Sequence, residues 1–497
     1  MSDGLRFLSI IADLFAVILG LGMLWVVYAF VVDITQTRHA IRRNFPVIGR
    51  FRYFFERMGV FFRQYFSAME REEMPFNRAD RSWVYRAAKQ DSLNIAFGST
   101  QDINRPGTPI FLNDFLPISE KDKQPPSVIT FGQDCPHPYS TNSIFNISAM
   151  SYGALSAPAV QALSRGAGQA GCWLNTGEGG LSAHHLVGNC DVIFQIGTAK
   201  YGVRTPDGKL DDNKLKDIAE RPQVKMFEIK LSQGAKPGKG GILPAAKVTP
   251  EISTIRLIPV GQASISPNSH EEVKSVGDLL DLINHVRQVT GKPTGIKFVL
   301  GNADWLQELL SEIRVRGEAS APDFITLDSG DGGSGAAPQP LMDCTGLPIR
   351  ESLPYLVKAL EKVGLRQRIR VIASGKLISP EAVALMLAAG ADAVNSARGF
   401  MFALGCVQAM QCHRNTCPTG VTTHNPHLQR GLVPLDKGTR VANYQRAMTE
   451  SVTMIAHSCG VAEPRLLRPR HVRLVTRPGH SLPLQDYVRP DGESEVP

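Results

Sequence analysis

From about residue 140 onward, short apolar segments alternate with Gly-rich loops and helical patterns, and this alternation limits the possible folds most strongly. Strands that alternate with helices form parallel sheets. Eight such units over about 320 residues are typical of a closed (β/α)8 barrel with insertions. The sequence therefore predicts an α/β fold built on this barrel, with a doubly wound open sheet as the alternative. The predicted strands are Ile144–Ala149, Trp173–Asn175, Val192–Gln195, Met226–Lys230, Gly295–Val299, Phe324–Leu327, Arg370–Ala373 and Ala391–Asn395.

Five helical patterns lie between these strands, and the last of them has signals at both ends. Ser379 is placed as its N-cap, Pro380 as its first residue and Gly390 just beyond its end. The longest insertion, residues 231–275, follows the fourth strand. The predicted helices are Ala157–Ala170, Val276–Val289, Asp304–Arg316, Ser352–Val363 and Pro380–Ala389.

An uncharged apolar segment near the N-terminus, Leu14–Val32, is 19 residues long. As a helix it would span roughly 28 Å, close to the hydrocarbon thickness of about 30 Å. Five arginines between residues 38 and 52 follow it, against Arg6 alone before it. By the positive-inside rule, the bulk of the chain lies on the cytoplasmic side. We therefore predict a single-pass protein of the inner (cytoplasmic) membrane with a cytoplasmic catalytic domain.

Residues 51–66 combine eight aromatic side chains with Arg52, Arg57 and Arg63. This pattern fits an amphipathic helix on an anionic membrane surface, and equally an aromatic face packed on the catalytic body. The net charge of +8 is partly local, because seven arginines fall between residues 38 and 63. A membrane explanation therefore comes first, and no nucleic-acid partner is expected.

These signals divide the chain into four regions. Residues 1–35 form the membrane anchor and residues 36–139 a basic, aromatic juxtamembrane extension. Residues 140–460 form the barrel and residues 461–497 a C-terminal tail.

Three cysteines, Cys406, Cys412 and Cys417, lie within twelve residues of each other. Close thiolates favour a soft metal. Their spacing, with Pro418 after the last cysteine, suits an iron–sulfur cluster better than zinc, and the chain has no Cys-x-x-Cys. Three ligands indicate a three-iron cluster in a reducing compartment. A zinc site and three buried, inert thiols remain the alternatives.

GDGGSG at 330–335 matches the dinucleotide-binding pattern Gly-x-Gly-x-x-Gly. In that fold the loop opens directly into a helix, whereas Pro338 and Pro340 are expected to break any helix here. We interpret the segment as a barrel loop in which Gly332 and Gly333 let backbone N–H groups approach a planar or anionic ligand.

Phosphate groups in barrels commonly bind at the loops after strands seven and eight. The corresponding loops are Ser374-Gly375-Lys376 and Ser396-Ala397-Arg398-Gly399. They supply hydroxyls, glycines and two cations, and a guanidinium binds phosphate through two N–H groups at once. The sequence predicts a cofactor phosphate here, with solvated, unliganded cations as the alternative.

Several longer motifs point to one family. They are SAMSYGALS (148–156), NTGEGG (175–180), EIKLSQGAKPGKGG (228–241), DSGDGGSGAAP (328–338) and the cysteine run. Together they resemble the FMN-binding domain of glutamate synthases over about residues 140–460. NFPVIGR and MPFNRADRSWVY look like the membrane-anchored, single-domain branch of that family. No glutaminase domain or β-helical domain is expected.

By this resemblance the barrel carries FMN, and the three cysteines carry a 3Fe–4S cluster that passes electrons to it. Reduced flavin delivers hydride to 2-iminoglutarate, made from 2-oxoglutarate and ammonia, giving glutamate. The resemblance implies a ferredoxin or NAD(P)H-reductase partner as electron donor. The ammonia is free or is derived from glutamine by a separate subunit, and a homo-oligomer is compatible with this scheme.

The resemblance also implies roles for single residues. Lys230, Gln233 and Lys236 provide two cations and an amide for a dicarboxylate at the end of the fourth strand. Glu178 matches the acidic residue at the family's ammonia entry point, where it could attract ammonium or take its proton. Lys297 would stabilise negative charge on reduced flavin, and a buried, ion-paired lysine is the alternative.

The remaining flavin contacts include two departures from the family. Gln195 and the backbone of Ser148, Ala149 and Met150 match positions that line the flavin. Complete glutamate synthases tend to have Asp-Gly in place of the serine–glycine pair at 374–375, and a Gly-Phe-Gly-Thr-like turn in place of NSAR (395–398). Arg398 is therefore expected to replace some phosphate contacts.

A function of another class fits the same residues. The chain would then be a membrane-tethered flavin and iron–sulfur electron-transfer component, or an FMN oxidoreductase acting on another small acid, since one barrel serves many substrates. The anchor favours a membrane partner. Lys230 and Glu178 together favour an enzyme.

Overall fold

The computed structural model describes residues 3–119 and 121–487. The end of the predicted tail, 488–497, lies outside the described residues. The chain divides into two compact units, with the boundary between Arg78 and Ala79.

The first unit is helical, with α1 (Asp3–Thr35), α2 (Ala40–Asn44) and α3 (Gly49–Phe62). Asp33, near the end of α1, is buried and forms ion pairs with Arg42 (2.6 Å) and Arg50 (2.8 Å). These contacts hold α2 and α3 against the end of α1. The span from residue 4 to 35 is long and apolar enough to cross a membrane by length and composition, a test that a signal sequence also passes.

Eight parallel strands in the second unit close into a barrel. The ring closes where β8 pairs with β1, Val394 opposite Phe145. Each predicted strand overlaps an observed one, so the predicted (β/α)8 barrel is confirmed and the open sheet is wrong. The strands are β1 (Phe145–Ile147), β2 (Leu174–Asn175), β3 (Val192–Ile196), β4 (Val224–Lys230), β5 (Thr294–Val299), β6 (Phe324–Asp328), β7 (Arg370–Ser374) and β8 (Ala393–Ser396).

Helices surround the barrel and connect its strands. The longest, α16, packs against α5 and covers β1. The helices are α4 (Arg78–Lys89), α5 (Ala157–Ala170), α6 (Ala183–Leu186), α7 (Asp212–Ala219), α8 (Pro250–Arg256), α9 (Val276–Thr290), α10 (Asp304–Arg316), α11 (Gln339–Cys344), α12 (Ile349–Lys362), α13 (Pro380–Ala388), α14 (Arg398–Leu404), α15 (Pro426–Gln429), α16 (Pro434–Ser458) and α17 (Leu484–Tyr487).

One of the helix predictions is confirmed and one is wrong. Ser379 is the N-cap of α13, as predicted, although its hydroxyl donates to Glu381 (2.5 Å) and does not accept from the helix backbone. The segment after the glycine loop forms the short helix α11, with Pro340 in its first turn. Proline is tolerated there because first-turn N–H groups have no partner within the helix.

The amino-terminal end of the barrel is closed by a β-hairpin, residues 129–131 and 139–141. Phe131 is fully buried and lies edge-to-face against Trp173 and Phe324, with ring centroids 5.9 and 5.8 Å away. The hairpin therefore plugs this end with aromatic side chains. At the opposite end, by the carboxyl ends of the strands, there is space for a ligand.

Three short sheets complete the described structure outside the barrel. Residues 109–111 pair with 472–477, which pair in turn with 480–483, so part of the predicted tail is an ordered sheet. Within the long insertion, residues 242–243 pair with 264–265. The third is the hairpin that plugs the barrel.

Asp323, at the start of β6, should be essential for stability. Its buried carboxylate pairs with Arg287 and Arg368, both at 2.9 Å, and accepts from the Thr294 backbone N–H at 2.8 Å. Asp323→Ala leaves two arginines without this charge and should lower the free energy of unfolding by about 3–5 kcal/mol. Asp134→Ala is the matched control, because that exposed carboxylate lies 3.9 Å from Arg368. It should cost less than about 1 kcal/mol.

Urea unfolding of both variants, followed by near-UV circular dichroism in one detergent, tests the prediction. Equal losses of stability in the two variants would contradict it.

Candidate active site

A cleft of about 1300 Å³, partly open to solvent, lies over the carboxyl ends of the barrel strands. It brings together nearly all the residues singled out in the sequence. Gly332, Cys406 and Cys417 are not part of its wall. The predicted residues that line it are Ser148, Ala149, Met150, Glu178, Gln195, Lys230, Gln233, Lys236, Lys297, Gly333, Ser374, Gly375, Lys376, Ala397, Arg398 and Cys412.

One end of the cleft is strongly polar. Lys230, the last residue of β4, donates to Glu178 at 2.9 Å and also to the side-chain oxygen of Gln233. Lys236 is buried, and burial together with the charge of Lys230 lowers its pKa to about 8. Burial opposes ionisation of Glu178, but Lys230 and then Lys236 hold its pKa below the ordinary value. This end can therefore bind an anion beside a carboxylate.

Glu178 sits in a slot that only glycine leaves open. A Cβ on Gly241 would lie 1.8 Å from the Glu178 carboxylate oxygen, and a Cβ on Gly197 would lie 2.6 Å from the Glu178 Cβ. The glycine of the long insertion therefore packs directly on the carboxylate. This contact accounts for Gly241, the second of the two glycines that end the motif at 228–241.

Lys297 points from β5 into the barrel and lies 3.4 Å from Asp328. Burial opposes its charge, but Asp328 and then Glu228 raise its pKa above the ordinary value. It is thus both ion-paired and part of the cleft wall. Asp328 also accepts from the backbone N–H of Gly234 at 3.0 Å, which ties β6 to the loop after β4.

The loops after β7 and β8 form the opposite end. Gly375 has φ +123°, and a Cβ there would lie 2.2 Å from the Ser329 Cβ. Lys376 pairs with Asp331 at 3.1 Å. Arg398 donates to the Ser334 carbonyl at 2.7 Å, so its guanidinium contacts the glycine loop. A glycine cradle with two cations fits a bound phosphate.

The three predicted metal ligands lie in one segment after α14. All three are free thiols, and Cys406 interacts electrostatically with Cys412 and Cys417. Burial raises the pKa of Cys406 to about 11. For Cys417, burial opposes ionisation, but hydrogen bonds from Thr419 and Thr422 lower the pKa. Across residues 3–119 and 121–487, no three Cys, His, Asp or Glu side chains are already arranged to hold a metal ion.

Two buried cations that line the cleft belong to none of the sequence motifs described above. Arg256, at the end of α8, is buried and donates to Ser264 (3.1 Å) and to the Tyr152 carbonyl (3.2 Å). Lys247 is buried and donates to backbone carbonyls, including that of Cys412 at 2.7 Å. Both lie in the long insertion without a motif around them. Only their distant contacts show that they belong to the site.

Residues 109–462 match a family model described as the conserved region in glutamate synthase. The chain is 38% identical to the glutamate synthase large subunit-like protein YerD of Bacillus subtilis, over 93% of this chain and 96% of that protein. It is 34% identical to the archaeal glutamate synthase [NADPH] of Methanocaldococcus jannaschii, over 66% of this chain and 61% of that one. The chain thus covers about three fifths of the archaeal relative.

A mutant flavocytochrome b2 structure with pyruvate bound has a TM-score of 0.46 at 15% identity, over 87% of this chain and 85% of that one. This similarity is too low to bear on function. The fold and cleft define a (β/α)8-barrel protein with a ligand site at the carboxyl ends of its strands. The chain belongs to the glutamate synthase family, whose members are oxidoreductases.

Proposed function

We propose that this protein is a glutamate-synthase-like FMN and iron–sulfur oxidoreductase that aminates 2-oxoglutarate reductively to glutamate. The observation that carries the proposal is the polar end of the cleft. Lys230, Lys236 and Arg256 line it together with the Gln233 amide and the Glu178 carboxylate. A dicarboxylate is held by fixed cations and an amide. The adjacent carboxylate suits ammonia.

FMN fits the remainder of the cleft, and its reduced form would supply a hydride. The residues of the cleft wall that are proposed to hold it are Ser148, Ala149, Met150, Gln195, Lys297, Gly333, Ser374, Gly375, Lys376, Ala397 and Arg398. The glycine cradle supports the phosphate end. Lys297 stays protonated beside Asp328 and would stabilise negative charge on the ring.

Glu178 acts on nitrogen in this proposal. Its carboxylate is ionised and within hydrogen-bond distance of Lys230 Nζ. It would attract ammonium to the polar end of the cleft; ammonium loses a proton to water there, and the resulting ammonia attacks the 2-oxo carbon. Loss of water then gives 2-iminoglutarate. Lys230 and Gln233 orient this substrate.

Lys230→Ala should abolish 2-oxoglutarate-dependent reoxidation of the flavin while FMN remains bound. Detergent-purified protein is photoreduced without oxygen, and flavin absorbance is followed after addition of 2-oxoglutarate with ammonium. Loss of one fixed donor costs about 10²–10³-fold in rate. Lys239→Ala is the matched control, because Lys239 is exposed in the same loop.

Reoxidation that needs both compounds and forms glutamate supports the proposal. A reducible flavin that ignores both would instead support an electron-transfer component or another small acid as substrate. The membrane-span candidate α1 is the observation that favours this second function.

Affinity for 2-oxoglutarate should fall as pH rises through about 8. Lys236 has a pKa of about 8, so it is charged below that pH and neutral above it. Because a charged hydrogen bond contributes roughly 1.5–3 kcal/mol, binding should weaken about tenfold by pH 9. Lys236→Arg should bind equally well at pH 7 and 9, since arginine stays charged. Isothermal titration calorimetry at both pH values measures the affinity. A Lys236→Arg variant whose affinity still falls at pH 9 would refute the assignment of this pH dependence to Lys236.

We further propose that Cys406, Cys412 and Cys417 hold a 3Fe–4S cluster fed by a ferredoxin or an NAD(P)H reductase. Three reduced thiols in one segment beside Arg398 and Lys247 support it, because nearby cations favour thiolates. Ammonia is free or comes from a glutaminase subunit.

Cys412→Ser should remove the iron, since a three-ligand site loses a third of its bonds. Protein purified without oxygen should contain almost no iron and lose its electron paramagnetic resonance signal. Cys344→Ser is the control, because Cys344 is exposed and outside this segment. It should keep both. Iron retained in Cys412→Ser would contradict the ligand set.

We propose that α1 anchors the protein in the inner membrane with the barrel on the cytoplasmic side. Besides its length, an apolar face on α3 supports this, with Phe51, Phe54, Phe55 and Phe62 all exposed. The protein should stay in membranes washed with carbonate, and protease should digest the barrel in inverted vesicles but not in spheroplasts. Release by carbonate would refute the anchor, and digestion in spheroplasts the orientation.

A further inference from the structure

The last part of the long insertion, residues 266–270, contacts two groups that surround the Glu178 carboxylate. His270 Nε2 lies 3.0 Å from the Lys230 carbonyl oxygen, and Lys230 Nζ in turn donates to Glu178 at 2.9 Å. The first N–H of the segment donates to the Gly241 carbonyl at 2.9 Å. Gly241 packs on the same carboxylate from the other direction along the chain. One short segment therefore touches both neighbours of Glu178.

The Lys230 carbonyl lies where the pairing between β3 and β4 has ended. The last pair of the two strands is Ile196 with Ile229, so Lys230 is one residue beyond it. A buried backbone carbonyl needs a donor, because leaving it without one is unfavourable. The buried imidazole of His270 supplies that donor.

This hydrogen bond determines the state of the His270 ring. A carbonyl oxygen only accepts, so Nε2 carries the hydrogen. Burial lowers the pKa of His270, and the ring is therefore neutral at pH 7. Nδ1 lies 3.9 Å from Glu272 Oε1 and has no hydrogen-bond partner in the part of the chain that the structure describes. Within that part, the hydrogen bond of the ring goes to Lys230.

Other contacts hold the segment in place without the His270 side chain. The Thr198 hydroxyl, in the loop after β3, donates to the Pro267 carbonyl at 2.7 Å. The Asn268 side-chain oxygen accepts from the Gly240 N–H at 3.2 Å. A Cβ on Gly240 would lie 2.0 Å from the Ser266 carbonyl oxygen, so this glycine allows the two stretches of backbone to approach closely. A change at residue 270 should therefore leave the rest of the segment in position.

We propose that His270 is a positioning residue, whose Nε2–H holds the end of β4 so that Lys230 Nζ stays on the Glu178 carboxylate. His270 does not line the cleft, so it acts through Lys230. The consequence for 2-oxoglutarate rests on the proposed function, in which Lys230 orients that substrate. Small displacements are costly in such a site, since a shift of about 1 Å can lower a rate on the order of 10²-fold.

A pair of amide variants tests this role by equilibrium dialysis of 2-oxoglutarate against detergent-purified protein. His270→Gln places an amide N–H near the position of Nε2, whereas the shorter side chain of His270→Asn does not reach the Lys230 carbonyl. The Kd should rise about tenfold in His270→Asn, the order expected when a buried carbonyl loses its donor, and stay within about threefold of the parent in His270→Gln. Equal losses in the two variants would overturn the proposal.

Two further variants serve as controls. His270→Phe keeps a ring without a donor and should weaken binding as His270→Asn does, so it replaces that variant if the asparagine chain does not fold. His285→Gln should bind like the parent, because His285 is exposed on α9 and pairs with Asp212 at 2.8 Å. Parent-like affinity in His270→Phe would refute the need for a donor.

A double-mutant cycle shows whether His270 acts through the Lys230 amine. Lys230→Met removes the amine but keeps the backbone carbonyl that His270 contacts. His270→Asn should raise the Kd about tenfold in the parent and less than about twofold in the Lys230→Met background, because residues that act as a unit are not additive. A general structural role would cost the same in both backgrounds, which would contradict the proposal.

Crystal structures of the parent and of His270→Asn test the same point without the substrate. Lys230 Nζ should move away from Glu178 in the variant, and a contact still at 2.9 Å would refute the proposal. If the parent does not bind 2-oxoglutarate, the proposed substrate is wrong, and the two crystal structures still decide the role of His270. If the parent and both amide variants bind it equally well, only the role of His270 is wrong.

Discussion

One buried carboxylate, that of Glu228, links four strands of the barrel just below the cleft. Glu228 of β4 is fully buried and accepts from Asn175 of β2 (2.8 Å), Gln195 of β3 (2.6 Å) and Thr326 of β6 (2.6 Å). A buried charge is unfavourable unless its lone pairs have partners, and here three other strands supply them. Its charge also helps to keep Lys297 protonated. The orientation of Gln195 follows from this group, and the charge of Lys297 depends on it together with Asp328.

The two ends of the barrel differ because their side chains differ. Aromatic residues fill the amino-terminal end, where Phe131 from the plugging hairpin packs on Trp173 and Phe324. At the carboxyl ends, glycines replace side chains. A rigid, apolar base can hold a polar site open above it, since the interior is too densely packed to adjust. The cleft is therefore part of the fold.

Local pattern is sufficient to predict the barrel strands, because a strand buried on both faces is apolar along its whole length. It also places Lys230 and Lys297, which lie in or at the end of such strands. It misplaces the segment after the glycine loop, where Pro340 stands in the first turn of α11 and does not break it. Proline breaks a helix when it lies in the helix interior, whereas in the first turn it is tolerated.

Lys247 shows why the remainder of the site could not be predicted. Its three carbonyl partners lie 93, 165 and 175 residues away in the sequence. Arg256 likewise reaches the Tyr152 carbonyl, 104 residues away. No local pattern predicts such contacts, because they exist only after the insertion has folded over the cleft. The sequence therefore identifies the site residues that lie in or next to the barrel strands. The structure adds those that the folded insertion contributes.

The charge balance of the cleft connects stability to its ligands. Seven lysines and arginines line it, against Glu178 and Asp328. Burial lowers the pKa of both Lys236 and Lys247 to about 8, so their charges are held at a cost in this environment. A ligand that binds only the folded state stabilises it in proportion to its free concentration over Kd. A phosphate at one end and a dicarboxylate at the other would each offset the repulsion between these cations, so both proposed ligands should stabilise the barrel they occupy.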